Sequence, residues 1–249
     1  KSTKLVFKMA SRIVYVSKLG RMRYLPAWDY QKNVAEKVRN NMKTGKEPGH
    51  TLLLVANLHT IPFFRPVYTI GIRQTEYTEE LETQLRSMGA DFHRTNRGGL
   101  ITFHGPGQLM AYPILHLRSF SSGMKWYVCA LERTVIRTLR WLGINSHTSP
   151  HTGVWVGDNK ICALGIQGRH VTTHGLALNC NTDLRWYEHI VPCGIPDKGI
   201  TSISKELNRD VTIDEVEPHF LKAFSEVFEC RVVPADDRDI GGHCKSNTW

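Results

Sequence analysis

The chain has 249 residues, 41% of them hydrophobic, which is enough to bury one core of substantial size. No apolar run reaches the ~20 residues that a membrane-spanning helix needs, so we expect no membrane span. The six cysteines form no Cys-x-x-Cys pair and are too sparse for a disulfide-stapled secreted scaffold. The formal net charge of +9 predicts a surface that attracts acidic partners, without saying which class they belong to.

The first 28 residues contain seven lysines and arginines and no acidic residue. This composition is typical of a mitochondrial targeting segment, although a basic first strand would give the same pattern. We therefore treat residues 1–12 as a basic N-terminal segment with a possible targeting role. Residues 13–233 are expected to form a single domain, and the Asp/Gly/Ser-rich residues 234–249 a disordered tail.

The periodicity of apolar residues alternates along the chain between strand-like and helix-like stretches. Thr78 is predicted to cap a helix that Gly89 ends, and Thr212 and Glu215 form a capping box before another helix. Strands are predicted over residues 13–16, 52–55, 67–70, 100–103, 109–115, 154–156, 161–166 and 171–178. Strands and helices are interleaved, which predicts the α/β fold class.

Two pairs of histidines and one glycine motif could suggest a metal or nucleotide site. His170 and His174 have metal-ligand spacing but lack the glutamate of an HExxH motif, so a structural or substrate-facing role is favoured over zinc. The same interpretation applies to His147 and His151. The Gly105-Pro-Gly107 segment lacks the third glycine of a dinucleotide fingerprint.

The segment from Arg97 to Gln108 contains five glycine or proline residues around an arginine and a histidine. Glycines let the backbone approach a ligand and expose N–H groups, which indicates a binding loop. Two ordinary turns around a strand would give a similar composition.

Cys193 lies between Pro192 and Gly194, in a segment that must be irregular. Loops held on a rigid sheet are common positions for nucleophiles, so its position makes Cys193 the best candidate among the six thiols, although an isolated cysteine in a loop is more often unreactive than catalytic. Cys129, Cys162, Cys180 and Cys230 lie in helix or strand patterns and are expected to be buried, and Cys244 belongs to the tail.

A thiol with an ordinary pKa of about 8.5 needs a neighbouring base or cation to become a thiolate at neutral pH. Lys160 opens the apolar stretch 160–166, where burial would favour a neutral amine that can accept a proton. A solvated lysine in the preceding turn, 157–160, is the alternative.

Four segments together resemble the lipoyl(octanoyl) transferase family, in the same order and with matching spacing. They are RGGLITFHGPGQ from Arg97, KICALG from Lys160, HGLALN from His174 and HIVPCGI from His189. The resemblance runs from about residue 66 to residue 207 and is closest to the animal mitochondrial type. It implies the fold of lipoate and biotin protein ligases, a mixed sheet flanked by helices.

The resemblance also implies the roles of individual residues. Cys193 would form the acyl thioester, and Lys160 would lower the pKa of that cysteine. The implied substrate-binding residues are Arg97, Gly98, Gly99, Leu100, Ile101, Thr102, Phe103, His104, Ala163, Leu164, Gly165, Gly175, Leu176 and Ala177.

The reaction that the resemblance implies is the first step of protein lipoylation, in the mitochondrial matrix. An octanoyl or lipoyl group would pass from acyl carrier protein, through Cys193, to a lysine of a lipoyl domain. The acceptors would be the E2 subunits of 2-oxoacid dehydrogenases and the glycine cleavage H protein, and neither a cofactor nor a metal is expected.

Two other classes of function compete with this interpretation. An ATP-dependent lipoate or biotin protein ligase would share the fold but would not need Cys193. A nucleic-acid-binding domain would account for the charge, yet the basic residues are scattered along the chain and match no nucleic-acid module. We therefore expect no nucleic-acid partner.

Overall fold

The computed structural model describes residues 12–56, 65–73, 77–120, 123–191 and 198–236. Cys193 and Cys244 lie outside these ranges, as do all but Arg12 of the N-terminal segment 1–12 and most of the tail 234–249. The interleaved elements predicted from the sequence are present. None of the helices within the described ranges is both long and apolar enough to cross a membrane.

The described chain contains five α-helices and eleven strands. The helices are α1 (Tyr24–Lys43), α2 (Glu79–Ser87), α3 (Met124–Trp141), α4 (Ile203–Leu207) and α5 (Ile213–Phe228), with 3-10 turns at Leu117–Ser119 and Leu184–His189. The strands are β1 (Ile13–Gly20), β2 (Thr51–Ala56), β3 (Val67–Ile70), β4 (Asp91–Arg94), β5 (Thr102–His104), β6 (Gln108–Ile114), β7 (Val154–Val156), β8 (Asn159–Gly168), β9 (Thr172–Asn179), β10 (Gly199–Ile200) and β11 (Arg231–Pro234).

Eight of the strands form one mixed sheet in the order β10-β8-β9-β6-β2-β1-β11, with β7 paired to β8. The pairs β1–β11, β1–β2 and β8–β10 are parallel, and the remaining pairs are antiparallel. The central strands β2, β6 and β9 are buried on both faces, which explains why the sequence of β2 is a continuous apolar run.

Alternate residues of β2 enter two different cores. Leu52 and Leu54 pack with α3 and α5 on one face, and Leu53 and Val55 pack with α1 on the other. Phe224 and Phe228 of α5 stack at 4.2 Å within the first core. Because successive strand side chains point to opposite faces, a one-residue register shift would exchange the two sets.

A second, three-stranded sheet in the order β4-β3-β5 was not predicted from the sequence. Its core contains Tyr68, Phe92 and Phe103, together with Tyr187 from the 3-10 turn. The strand predicted over residues 100–103 is instead Thr102–His104, since Leu100 and Ile101 still belong to the preceding loop.

The predicted helix starts are present, with one difference. Thr78 and Thr212 each accept a hydrogen bond, at 3.3 Å, from the N–H three residues later. The carboxylate of Glu215 pairs with Arg209 rather than returning to the N–H of Thr212, so the capping box is half formed.

The structure differs from the predictions at one boundary and in the burial of one cysteine. Pro234 pairs with Val16 and ends β11, so the sheet extends one residue into the predicted tail. The expectation that Cys129 is buried is wrong because it lies on the outer face of α3, whereas Cys162, Cys180 and Cys230 are buried as predicted.

Candidate active site

A cavity of about 450 Å³ lies against β5, β6, β8 and β9, with further walls from α1, α3 and the loop 150–152. This volume falls within the range of about 300–1,000 Å³ that is typical of small-molecule sites. The sheet strands supply its apolar wall through Met110, Leu164, Ile166 and Leu176.

The cavity brings together residues that are far apart in the sequence. Of the residues that the sequence motifs implied, it is lined by Lys160, Arg97, Gly98, Gly99, Leu100, Thr102, His104, Ala163, Leu164, Gly165, Gly175, Leu176 and Ala177. Ile101 and Phe103 are not among the lining residues and belong to the core of the second sheet. On β5 the reason is strand alternation: Thr102 and His104 face the cavity, so Phe103 faces away from it.

Arg97 is a buried cation that fastens the glycine loop to the second sheet. Its guanidinium donates to the backbone oxygen of Thr69 at 2.6 Å and to the Thr69 hydroxyl at 2.9 Å. The neighbouring Gly98 N–H donates to the Ile166 carbonyl on β8 at 2.8 Å. The loop is therefore attached to both sheets, and the cavity wall that it forms is held in place.

His104 is buried beside Arg97 and contacts the second sheet. Its Nε2 lies 3.2 Å from the Thr69 hydroxyl oxygen, which also accepts a hydrogen bond from Arg97. Burial, reinforced by the charge of Arg97 and opposed by Gln108, lowers its pKa to about 3, which makes His104 a very weak base.

His174 has an uncommon backbone conformation for a residue with a side chain, with φ of 57°. Its N–H donates to Gln31 Oε1 at 2.8 Å, and its Nε2 lies 2.8 Å from Asn96 Oδ1. Burial and the charge of Arg97 lower its pKa to about 4. His170, the other half of the apparent metal motif, is exposed, and the described residues contain no group of three His, Cys, Asp or Glu side chains arranged to hold a metal.

Gly165 and Gly175 are paired across β8 and β9 at the cavity. A Cβ atom on Gly165 would lie 2.7 Å from Arg97 Cδ, and one on Gly175 would lie 2.0 Å from the Ala111 carbonyl oxygen. A side chain would meet backbone at Gly175 and the Arg97 side chain at Gly165, so the need for glycine is stricter at Gly175.

Lys160 is the second residue of β8, with only 3% of its surface exposed. Its Nζ lies 4.7 Å from the centroid of the Trp155 ring, and its side chain reaches the cavity wall. The structure therefore favours the buried lysine over the solvated turn lysine that the sequence left open.

The nearest described thiol to Lys160 along β8 is Cys162, which is unsuited to nucleophilic chemistry. It is fully buried, and desolvation raises its pKa far above the ordinary value, with Lys160 opposing that shift. Cys193 lies outside the described residues, so its distance from Lys160 stays a prediction.

Sequence reasoning missed several residues of the cavity wall, including Tyr24, Tyr112, Met124, Val128 and His151. Tyr24 stacks on the ring of His104 at 5.8 Å, and burial raises the pKa of Tyr24 to about 12. In the sequence, Tyr24 and Val128 fit the apolar faces of helices, so no local signal separates cavity lining from ordinary core.

Comparison with known proteins assigns the fold and the family. Residues 23–225 match the family model of the lipoyl protein ligase A/B catalytic domain. Lipoate-protein ligase A, in a crystal structure with ATP, superposes with a TM-score of 0.64 at 15% identity, over 93% of this chain and 91% of that one. This likeness confirms the predicted fold, a mixed sheet flanked by helices.

Two relatives are much more similar in sequence. The mitochondrial octanoyl-[acyl-carrier-protein]:protein N-octanoyltransferase of Danio rerio is 53% identical over 226 residues, 90% of this chain and 95% of the relative. The octanoyltransferase of Christiangramia forsetii is 39% identical over 236 residues, 88% of this chain and 97% of the relative.

The chain belongs to the lipoyl protein ligase A/B catalytic domain family, as its motifs predicted. Within that family its similarity is to the octanoyltransferases, which confirms the prediction of an acyltransferase. The predicted mitochondrial location is confirmed by the vertebrate relatives, which are mitochondrial.

Proposed function

We propose that the chain transfers an octanoyl group from acyl carrier protein to a lysine of a lipoyl domain through a thioester on Cys193. The observation that carries the proposal is the buried Lys160 at the wall of a partly apolar cavity, in a chain 53% identical to an octanoyltransferase. The apolar side chains around this cavity suit a medium-length alkyl chain.

The connectivity of the chain supports a pairing of Cys193 with Lys160. Ile200, seven positions after Cys193, is the parallel partner of Lys160 in the sheet, and the Thr201 N–H donates to the Lys160 carbonyl at 3.0 Å. Tyr187, six positions before Cys193, is anchored through its hydroxyl, which accepts a hydrogen bond from the Gln108 side-chain amide and donates one to Asn179 Oδ1. The segment that carries Cys193 is thus tethered on both sides near this part of the sheet.

The first chemical step is a transfer between two thioesters. Lys160 accepts the Sγ proton of Cys193, and the thiolate attacks the octanoyl carbonyl carbon. The tetrahedral intermediate collapses with cleavage of the bond to the carrier sulfur, which takes the proton from Lys160. The new and old bonds are both thioesters, so no nucleotide is needed to drive the step.

The second step forms the amide. The amine of the acceptor lysine attacks the Cys193 thioester, loses a proton to Lys160 and expels the Cys193 thiolate, which is then reprotonated. His104 and His174 are neutral and weakly basic, which leaves binding and orientation as their roles. Backbone N–H groups of the glycine loop would stabilise the oxyanion.

The proposed partners fit the charge of the protein. The formal net charge of +9 favours association with acidic proteins. The donor is octanoyl-acyl carrier protein, and the acceptors are the lipoyl domains of 2-oxoacid dehydrogenase E2 subunits and the glycine cleavage H protein.

Intact mass spectrometry tests the proposal directly. Incubation with octanoyl-acyl carrier protein, without ATP, should add one octanoyl group to the protein, and peptide mapping should locate it on Cys193. The Cys193→Ser variant should lack the adduct, and Cys129→Ser, which removes an exposed thiol, should retain it. Lack of the adduct in the wild type, together with acyl transfer that requires ATP and free octanoate, would instead favour a ligase.

A further inference from the structure

Residues 150–155 form a segment that covers the Lys160 side chain, and a buried carboxylate contacts this segment. Glu132 belongs to α3, and only 7% of its surface is exposed. Its Oε1 accepts a hydrogen bond from the Gly153 N–H at 3.0 Å. The sequence motifs around the catalytic residues do not include Glu132.

Gly153 packs directly against the Lys160 side chain. Its φ of 134° is accessible to glycine almost alone, and a Cβ atom there would lie 3.2 Å from Lys160 Cε and 2.8 Å from the Cys162 carbonyl oxygen. The backbone of Gly153 therefore bounds the space in which the methylene groups of Lys160 can lie.

The rest of the segment closes around the same lysine. Trp155 places its ring 4.7 Å from Lys160 Nζ, and its indole N–H donates to the His151 carbonyl at 3.1 Å. His151 and Thr152 line the cavity. A displacement of Gly153 would thus move the cavity wall and, at the same time, remove the contacts that hold the Lys160 side chain in place.

We propose that Glu132 is a positioning residue for Lys160, which acts by holding the Gly153 N–H and with it the segment 150–155 against the lysine side chain. This inference rests on the proposed function. Glu132 is not among the residues that line the cavity, so its effect should fall on the rate of the chemical step rather than on substrate binding.

Two substitutions separate the hydrogen bond from the charge. Glu132→Gln retains a side-chain oxygen that can accept from Gly153, and Glu132→Met fills a similar volume without an acceptor. For Glu132→Met we expect kcat for octanoyl transfer to fall about 10- to 100-fold, as for a misplaced catalytic group, with KM for octanoyl-acyl carrier protein changed less than about twofold. Glu132→Gln should keep kcat within about threefold of wild type and leave the pH profile of Cys193 acylation unchanged.

Glu36→Met, at an exposed glutamate of α1, is the matched control and should behave as wild type. Equal losses in the Gln and Met variants, or wild-type kcat in the Met variant, would overturn the inference. If the Met variant does not fold, hydrogen exchange of the Gly153 amide is measured in the wild-type protein. Rapid exchange would overturn the inference, and strong protection would support it. Failure of the proposed function has a different signature: the wild-type protein would lack the Cys193 adduct. That result does not depend on either Glu132 variant.

Discussion

Lys160 is a lysine with almost no exposed surface, and its surroundings are more informative than its position in the sequence. A lysine after the turn 157–159 would ordinarily extend into solvent, but Trp155 and Gly153 enclose this one. Desolvating an ammonium group is costly, so a lysine enclosed in this way is a candidate for proton transfer.

Replacing Lys160 tests that role at the level of a single residue. In a Cys129→Ser background, which removes the exposed thiol, Lys160→Ala should slow alkylation of Cys193 near pH 7 by at least about tenfold because less thiolate is present. The measurement is the iodoacetamide rate as a function of pH. Lys205→Ala, at an exposed lysine of α4, should leave the profile unchanged.

The contrary result has a definite meaning. If Lys160→Ala retains the wild-type profile while His174→Ala abolishes acylation by octanoyl-acyl carrier protein, the base is His174 and the assignment to Lys160 is wrong. The lowered pKa of His174, about 4, argues against that outcome.

At the scale of elements, the paired strands β8 and β9 build the cavity through residues that the sequence presents as ordinary strand positions. Gly165 and Gly175 face each other across the pair, and their flanking residues Leu164, Ala177 and Leu176 also line the cavity. The close approach of Arg97 and of the Ala111 carbonyl depends on the missing side chains.

Alanine substitutions at the two glycines should have unequal effects on stability. A methyl group at Gly175 meets a backbone oxygen within the sheet, which cannot move without disturbing the pairing of β6 with β9, and should lower the free energy of unfolding by about 3 kcal/mol. At Gly165 the methyl group meets the Arg97 side chain, and the expected loss is about 1 kcal/mol.

Urea denaturation followed by circular dichroism measures both losses. A loss for Gly175→Ala no larger than that for Gly165→Ala would contradict the backbone argument. Gly165→Ala should additionally weaken acyl transfer because Arg97 fastens the loop that forms one wall of the cavity.

At the scale of the whole molecule, folding buries three histidines in neutral form. Burial lowers the pKa of His50 to about 4, that of His104 to about 3 and that of His174 to about 4, from an ordinary value near 6.5. Between about pH 4 and pH 6.5 the unfolded chain binds protons at these positions that the folded protein does not bind. The histidines' contribution to stability is therefore fully present above about pH 6.5 and is lost as the pH falls through about 4 for His50 and His174 and through about 3 for His104.

Each such histidine contributes a slope of about 1.4 kcal/mol per pH unit to the free energy of unfolding within this window. His50 lies away from the cavity and accepts from the His116 N–H, a role that an asparagine oxygen can reproduce. His50→Asn should therefore reduce the slope between pH 4.5 and 6 by about that amount in a urea titration series. Identical slopes for the variant and the wild type would show that His50 does not titrate as described.

The sequence by itself determined the order of the main strands and helices, the family, and Cys193 and Lys160 as candidate catalytic residues. These features depend on local periodicity, on helix caps such as Thr78 and Thr212, and on motifs that are contiguous in the chain. Periodicity predicted the strand at 67–70 and, displaced by a residue or two, the strand at 102–104, but it did not predict Asp91–Arg94 or the pairing of these three short strands in a second sheet.

Only the tertiary structure decided which side of each strand faces the cavity, so that Thr102 and His104 line it while Phe103 enters a core. It also decided that Lys160 is enclosed, that Cys129 is exposed, and that Glu132 reaches the segment over Lys160. The physical reason is that burial and electrostatic environment depend on contacts between distant segments, as between Glu132 and Gly153, and local sequence patterns carry no information about such pairings.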